Sequence, residues 1–154
     1  MSARIPAAGR IIGVDLGAVR IGVAISDSDQ TMASGLRVLP RTGDLTADRR
    51  ALAQIVADEA AVGIIVGLPV SLDGTAGPAA RAALAEVDAL QAVLGSVAVE
   101  TTDERFTTVS AQRELRASGR RGKQARARVD QVAAAVLLQS WLDRRRSVAA
   151  EPAQ

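Results

Sequence analysis

Carboxylates at three places in the sequence are of the type that can hold a hard metal cation. Asp15 ends an apolar segment and is followed closely by Gly17, which permits a tight turn. Asp103 and Glu104 follow a second apolar segment, and Asp130 opens the clearest amphipathic pattern in the chain. Three carboxylates from separate segments suit a two-metal site for phosphodiester cleavage, because one ion activates water while the other stabilises the leaving oxygen.

Each of these carboxylates also has an ordinary structural interpretation. Asp15 can open a hairpin turn, and an acidic residue of the Asp103–Glu104 pair can cap a following helix. Asp130 can be the N-cap or a first-turn residue of the last helix. From the residues alone, the structural role is favoured for Asp15 and Asp130, and the two roles are evenly balanced for the Asp103–Glu104 pair.

The residue types that are missing narrow the chemistry further. The chain has no cysteine and no histidine, which excludes disulfides, thiolate nucleophiles, a Ser-His-Asp triad and the common zinc sites. A metal would be held by oxygen ligands, which favours Mg²⁺ or Mn²⁺.

Basic residues are concentrated in the last third of the chain. Residues 105–146 hold eleven Lys or Arg against three Asp or Glu, whereas residues 1–104 hold eight basic and thirteen acidic residues. This asymmetry favours a nucleic acid as partner over a merely solvated helix face, because Arg binds phosphates bidentately. The predicted phosphate-binding residues are Arg20, Arg105, Arg113, Arg116, Arg120, Arg121, Lys123, Arg126 and Arg128. Trp141 is expected in the core, so we expect readout of backbone and shape rather than base stacking.

The pattern of apolar residues predicts the elements that position these groups. Short apolar runs predict strands at residues 10–15, 21–26, 36–40, 64–68 and 97–100. Helical spacing predicts helices at residues 45–59, 78–94, 107–117 and 129–142. Residues 118–128 are rich in Gly, Lys and Arg and predict a mobile loop. Three strands followed by alternating helices and strands predict a mixed α/β sheet with helices on its faces.

The composition is that of one globular domain. Hydrophobic residues make up 48% of 154 residues and charged residues 23%, which is enough to bury a core. We expect a single domain over residues 10–146, with a flexible lead-in at 1–9 and a flexible tail at 147–154. Neither a signal peptide nor a membrane-spanning run is recognisable, so a cytoplasmic location without membrane contact is expected.

Four segments together resemble the YqgF family, also called RuvX. They are residues 13–27 (GVDLGAVRIGVAISD), 66–80 (VGLPVSLDGTAGPAA), 100–115 (ETTDERFTTVSAQREL) and 129–143 (VDQVAAAVLLQSWLD). The family comprises RuvC-related Holliday junction resolvases, also described as nucleases that mature the 5′ end of small-subunit ribosomal RNA. The resemblance implies a ribonuclease-H-like fold with a mixed five-stranded sheet whose first three strands are antiparallel, and Mg²⁺- or Mn²⁺-dependent phosphodiester hydrolysis.

The resemblance assigns site residues by position. Asp15, Glu104 and Asp130 match the three acidic positions, with Asp103 beside the second, and Arg20 matches a basic position after the first turn. The chain departs from the family in two places. Val19 stands where the family usually has a cation, and residues 67–69 bring no carboxylate where the related resolvases have one. Glu104 would therefore have to supply the second ligand.

Several functional alternatives stay open at this level. A precursor of 16S rRNA and a four-way DNA junction are both possible substrates, and cleavage can be endo- or exonucleolytic. The protein can be a monomer or a homodimer, although two symmetric cuts would call for a dimer. A non-catalytic nucleic-acid-binding factor for transcription or ribosome assembly is a rival class. An actin-like ATPase is improbable, because 154 residues leave no room for its second half.

Overall fold

The computed structural model describes residues 4–69, 77–103 and 123–150, with the side chains of residues 123–128 and 149–150 left out. These ranges contain five strands and three helices. The strands are β1 (Ile11–Leu16), β2 (Arg20–Ser26), β3 (Ala33–Pro40), β4 (Gly63–Leu68) and β5 (Ala98–Asp103). The helices are α1 (Leu45–Asp58), α2 (Pro78–Leu94) and α3 (Lys123–Ala150). No helix in these ranges combines the length and the apolar character needed to cross a membrane.

The five strands form one mixed sheet in the order β3-β2-β1-β4-β5. β1, β2 and β3 are antiparallel, whereas β4 runs parallel to both β1 and β5. The expected mixed five-stranded sheet with three antiparallel strands first is therefore confirmed. One consequence matters for the site: β4 lies between β1 and β5, so the strands that carry Asp15 and Asp103 are not neighbours.

Helices cover both faces of the sheet, and strand alternation separates two cores. Val14, Val66 and Val99 point to one face, where they pack with Leu52 and Leu90 of α1 and α2. The opposite face is covered by α3, and its core contains Ile11, Ala24, Ile65, Leu137 and Leu138. We refer to this second side of the sheet as the α3 face.

The last helix begins earlier than the sequence pattern predicts. It starts at Lys123 and continues to Ala150, so the predicted mobile loop is helical from Lys123 onward and the predicted start at residue 129 is wrong. The segment KQARAR at 123–128 has no apolar residue larger than Ala, so hydrophobic periodicity gave no signal. Ala, Arg, Gln and Lys are nevertheless good helix formers, and they extend a helix that is anchored by packing further along.

The described residues near the two ends of the chain contact the domain or continue a helix. Ile5 is buried on the α3 face, and the Gln30 amide donates to the carbonyl oxygens of Pro6 and Gly9. These contacts tie residues 5–9 to the sheet, and the flexibility expected of residues 1–9 and 147–154 stays a prediction. At the other end, α3 stays helical through Ala150. The predicted helix at 107–117 lies outside the described residues.

Candidate active site at the end of the first strand

Asp15 is a buried carboxylate near the carboxyl end of β1. Its residue is only 2% exposed, and in the antiparallel register it lies opposite Gly22 of β2. Alternation along the strand places it on the same side as Ile11, which belongs to the α3 face. Burying a carboxylate is costly unless polar partners or a cation compensate for the lost hydration, so this position marks a functional site better than an exposed hairpin Asp would.

The backbone of Asp130 lies against Gly22 of β2, because α3 crosses the sheet there. A Cβ atom on Gly22 would overlap the backbone carbonyl oxygen of Asp130, so only glycine lets the helix come this close. Since Gly22 is the cross-strand partner of Asp15, the two acidic residues sit on adjoining elements of one site. Asp130 is 3% exposed, and it lies about two turns inside the helix that starts at Lys123. Its interpretation as a helix N-cap is therefore wrong.

Arg20 holds the Asp130 carboxylate. Its Nε donates to Asp130 Oδ2 at 2.6 Å, and its side chain is 21% exposed. Arg20 is the first residue of β2, two residues from Gly22 and so on the same face. The guanidinium expected to meet phosphate is thus engaged with a candidate metal ligand, and a phosphate contact through its other nitrogens stays a prediction.

The turn between β1 and β2 is fixed by residues that sequence analysis missed. The Arg41 Nε donates to the Gly17 carbonyl at 3.0 Å, and the Arg41 amide donates to the Val19 carbonyl at 2.9 Å. Arg41 Nη1 lies 3.8 Å from Oδ2 of Asp48, a buried residue in the first turn of α1. The sequence did contain a signal for this contact, because Asp48 falls among the inward-facing positions of an amphipathic helix.

Asp103 is not brought together with Asp15. It is the last residue of β5, and its neighbour Thr102 is buried on the α3 face, where Thr102 Oγ1 accepts a hydrogen bond from Arg144 of α3. Alternation then places Asp103 on the opposite face of the sheet. With β4 in between as well, the expectation that Asp103 faces Asp15 across a metal does not hold.

The remaining predicted residues cannot be placed. Glu104, Arg105, Arg113, Arg116, Arg120 and Arg121 lie outside the described residues. Lys123, Arg126 and Arg128 belong to α3, but their side chains are not described. The assignments of all nine stay predictions.

Two of the described residues are candidate ligands for a metal. Asp15 and Asp130 offer buried carboxylate oxygens, which fit a hard divalent cation. Within the described ranges no group of three or more His, Cys, Asp or Glu residues could hold a metal. A third carboxylate would therefore have to come from outside those ranges, where Glu104 is the predicted donor.

A mixed five-stranded sheet in this order, with helices on both of its faces, is the ribonuclease-H-like fold. The family RuvX, described as Holliday junction resolvase, matches residues 9–144, and this chain belongs to that family. The resemblance recognised from the four sequence segments is thereby confirmed.

Curated relatives and a solved structure agree with this assignment. A protein of Mycobacterium sp. strain KMS named "Putative pre-16S rRNA nuclease" is 47% identical to this chain, and the alignment covers 97% of this chain and 88% of the relative. The one in Nocardia farcinica is 45% identical over 93% of this chain and 82% of the relative. The structure of Thermus thermophilus RuvC with a Holliday junction substrate superposes with a TM-score of 0.54, at 13% identity and covering 90% of this chain and 96% of that chain. That likeness concerns the fold. The chain is a nuclease by family, and its class of reaction is phosphodiester hydrolysis.

Proposed function

We propose that this protein is a divalent-metal-dependent nuclease that acts on precursor 16S rRNA at its 5′ end. The observation that carries the proposal is a pair of buried aspartates around Gly22: Asp15 is its cross-strand partner, and the Asp130 backbone packs against it. The substrate is suggested by the names of relatives that are 45–47% identical over nearly the whole chain.

In this proposal Asp15, Asp130 and Glu104 hold Mg²⁺ or Mn²⁺. When bound, the cation supplies activation of water and stabilisation of charge on the leaving oxygen. Arg20 fixes the orientation of the Asp130 carboxylate through its bond at 2.6 Å. The Arg41 contacts to the turn at Gly17 and Val19 hold the end of β1, so that Asp15 keeps its place opposite Gly22.

The basic residues supply the binding of the substrate backbone. Residues 105–146 have a surplus of Lys and Arg. This segment begins directly after Glu104 and includes Asp130. Positive charge around an acidic catalytic centre can hold the phosphates that flank the cleaved bond.

A Holliday junction is the second candidate substrate, because the matching family is described as Holliday junction resolvase. The two candidates predict different products. A junction resolvase would make paired cuts in a four-way DNA junction, whereas a maturation nuclease would shorten or cut a single RNA strand.

The test is cleavage of a labelled RNA with a precursor 5′ end and of a labelled four-way DNA junction, each with Mg²⁺, Mn²⁺ or chelator. Asp15→Asn should reduce cleavage by more than about 100-fold, since losing a residue that contacts the cation exceeds the usual effect of losing one that only orients such a residue. The matched control is Asp29→Asn, the same change at an exposed position, which should cut like wild type. If wild type binds both substrates but cuts neither, the protein is a binding factor and the proposal fails.

A further inference from the structure

An open groove lies on the α3 face next to the edge strand β5. It has a volume of about 690 Å³. The N-terminal segment, β5 and the last turns of α3 form its walls. The lining side chains include Arg4, Ile5, Glu100, Trp141, Arg144 and Arg145.

The groove carries a surplus of positive charge. Three guanidiniums line it against one carboxylate, that of Glu100, which accepts a hydrogen bond from the Ile5 amide at 3.4 Å. Within the described residues, Arg4, Arg144 and Arg145 form no ion pair, whereas the adjacent Arg146 is paired with Asp143. A concave surface with unneutralised guanidiniums attracts polyanions and repels a second copy of itself.

Trp141 gives the groove an aromatic surface, contrary to the expectation that it lies in the core. The indole is partly buried against the α3-face core, and it also lines the groove. The Arg145 guanidinium stacks on the ring at 4.9 Å from its centroid. Arg145 is itself held by the Ile5 carbonyl and by Gln30 Oε1. Arg145 and Trp141 therefore form a fixed stack, and an unpaired base can stack on a guanidinium plane that is held in this way.

The groove and the candidate active site lie on the same face of the sheet. Arg144 donates to Thr102, which pairs with Gly67 of β4. Val14 pairs with Val66, so the next residue, Asp15, lies level with Gly67 and Thr102. Two strand spacings of about 4.8 Å put Thr102 roughly 10 Å from Asp15 on the same face. A strand whose phosphate lies at Asp15 would thus reach Arg144 within a short stretch of nucleotides.

We propose that this groove binds the single-stranded flank of the substrate, with a base stacked against the Arg145–Trp141 pair and phosphates on Arg144 and Arg4. The proposal rests on the nuclease function proposed above, and it adds a subsite that receives unpaired nucleotides. Double-stranded nucleic acid would not bind in this subsite, because its bases stack on each other and are not available to the Arg145–Trp141 pair.

The chain offers a direct probe, because Trp141 is its only tryptophan and it has no tyrosine. Full-length wild-type protein in chelator is titrated with a single-stranded 10-nucleotide RNA, and binding is followed by anisotropy of an RNA label and by tryptophan fluorescence. We expect saturable quenching at the RNA concentrations at which anisotropy rises. An abasic oligonucleotide of equal length and charge should bind more weakly and leave the fluorescence unchanged.

Two variants separate stacking from charge. Trp141→Leu should weaken binding of the RNA by about 5- to 100-fold, with less effect on the abasic strand. Arg144→Gln should weaken both by a similar factor, because it removes a phosphate contact. The control is Arg10→Gln, which alters an exposed guanidinium paired with Glu59 and should bind like wild type. Thermal melts verify that each variant is folded.

The outcomes are distinguishable from those of the cleavage test. RNA that binds without quenching, together with unchanged affinity of Trp141→Leu, would overturn the groove proposal even if the enzyme cuts RNA. Quenching that depends on protein concentration but not on RNA would assign the groove to a second copy of the chain and also overturn it. Quenching by RNA in a protein that cuts nothing would retain the groove and reject the nuclease function.

Discussion

At the scale of single residues, the candidate site depends on the contacts that fix the buried Asp130 carboxylate of α3. Asp130 is nearly inaccessible to solvent, and Arg20 donates to it from β2. The pair joins the helix to the strand that neighbours Asp15. Arg20 therefore contributes both to folding and to the orientation of a candidate metal ligand.

Arg20→Gln should destabilise the fold by about 2–3 kcal/mol, because it leaves a buried charge without one of its donors. The control is Arg10→Gln, whose partner Glu59 lies on the surface at 3.0 Å and which should cost less than about 1 kcal/mol. Urea denaturation of both variants measures the difference. Equal costs would mean that the Arg20–Asp130 pair contributes no more than a surface ion pair.

The closeness of helix and strand at Gly22 gives a second prediction at this scale. Gly22→Ala places a methyl group against the Asp130 carbonyl, so α3 must shift; we expect about 1–3 kcal/mol of lost stability. Cleavage should drop by up to about 100-fold, because small displacements of catalytic groups are costly. Gly77→Ala is the control, since a Cβ there meets nothing within 4 Å. Normal cleavage by Gly22→Ala would show that Asp130 need not sit this close to β2.

At the scale of elements, some features could be predicted from sequence and others could not. The strands and α2 were predictable because apolar runs and a Pro at the helix start are local signals; the predicted α2 bounds of 78–94 match those observed. The first turns of α3 were missed because residues 123–128 include no apolar residue larger than Ala. The position of Asp130 depends on where α3 crosses β2, at Gly22. The Arg41 contacts depend on residues that are distant in sequence coming together in the fold. A local sequence pattern encodes neither.

The Arg41–Asp48 contact gives a prediction for an element, the turn between β1 and β2. Arg41→Gln should loosen the turn without unfolding the protein. It should reduce cleavage by about 10-fold or more, since Arg41 positions the turn that follows Asp15 and does not itself hold the cation. Hydrogen exchange at residues 16–20 should accelerate while exchange in α2 is unchanged. Arg50→Gln, at an exposed position of α1, is the control. Unchanged exchange at residues 16–20 would show that the turn holds without Arg41.

At the scale of the whole molecule, charge is divided along the chain. The segment to residue 104 is net acidic and contains Asp15, whereas residues 105–146 are strongly basic. The helix α3 from the basic segment lies across the sheet, whose strands come from the acidic segment, and Asp130 of the one packs against Gly22 of the other. Such an arrangement can bring a polyanion and a cation to the same place, which is what metal-dependent cleavage of nucleic acid requires.

Binding of nucleic acid and its cleavage should therefore respond differently to salt and to chelation. If about four phosphates are contacted on a single strand, the slope of log affinity against log salt is about −2.8, which is about a 50-fold loss from about 50 to about 200 mM. Arg144→Gln should make the slope shallower by about 0.7, whereas Arg10→Gln should leave it unchanged.

Chelator should abolish cleavage but leave most of the salt-dependent binding, since the guanidiniums that line the groove next to β5 need no metal. Filter binding at a series of salt concentrations, with and without chelator, measures both. A slope near zero would mean that the basic half does not contact phosphates, and loss of binding on chelation would mean that the cation, rather than the Arg residues, holds the substrate.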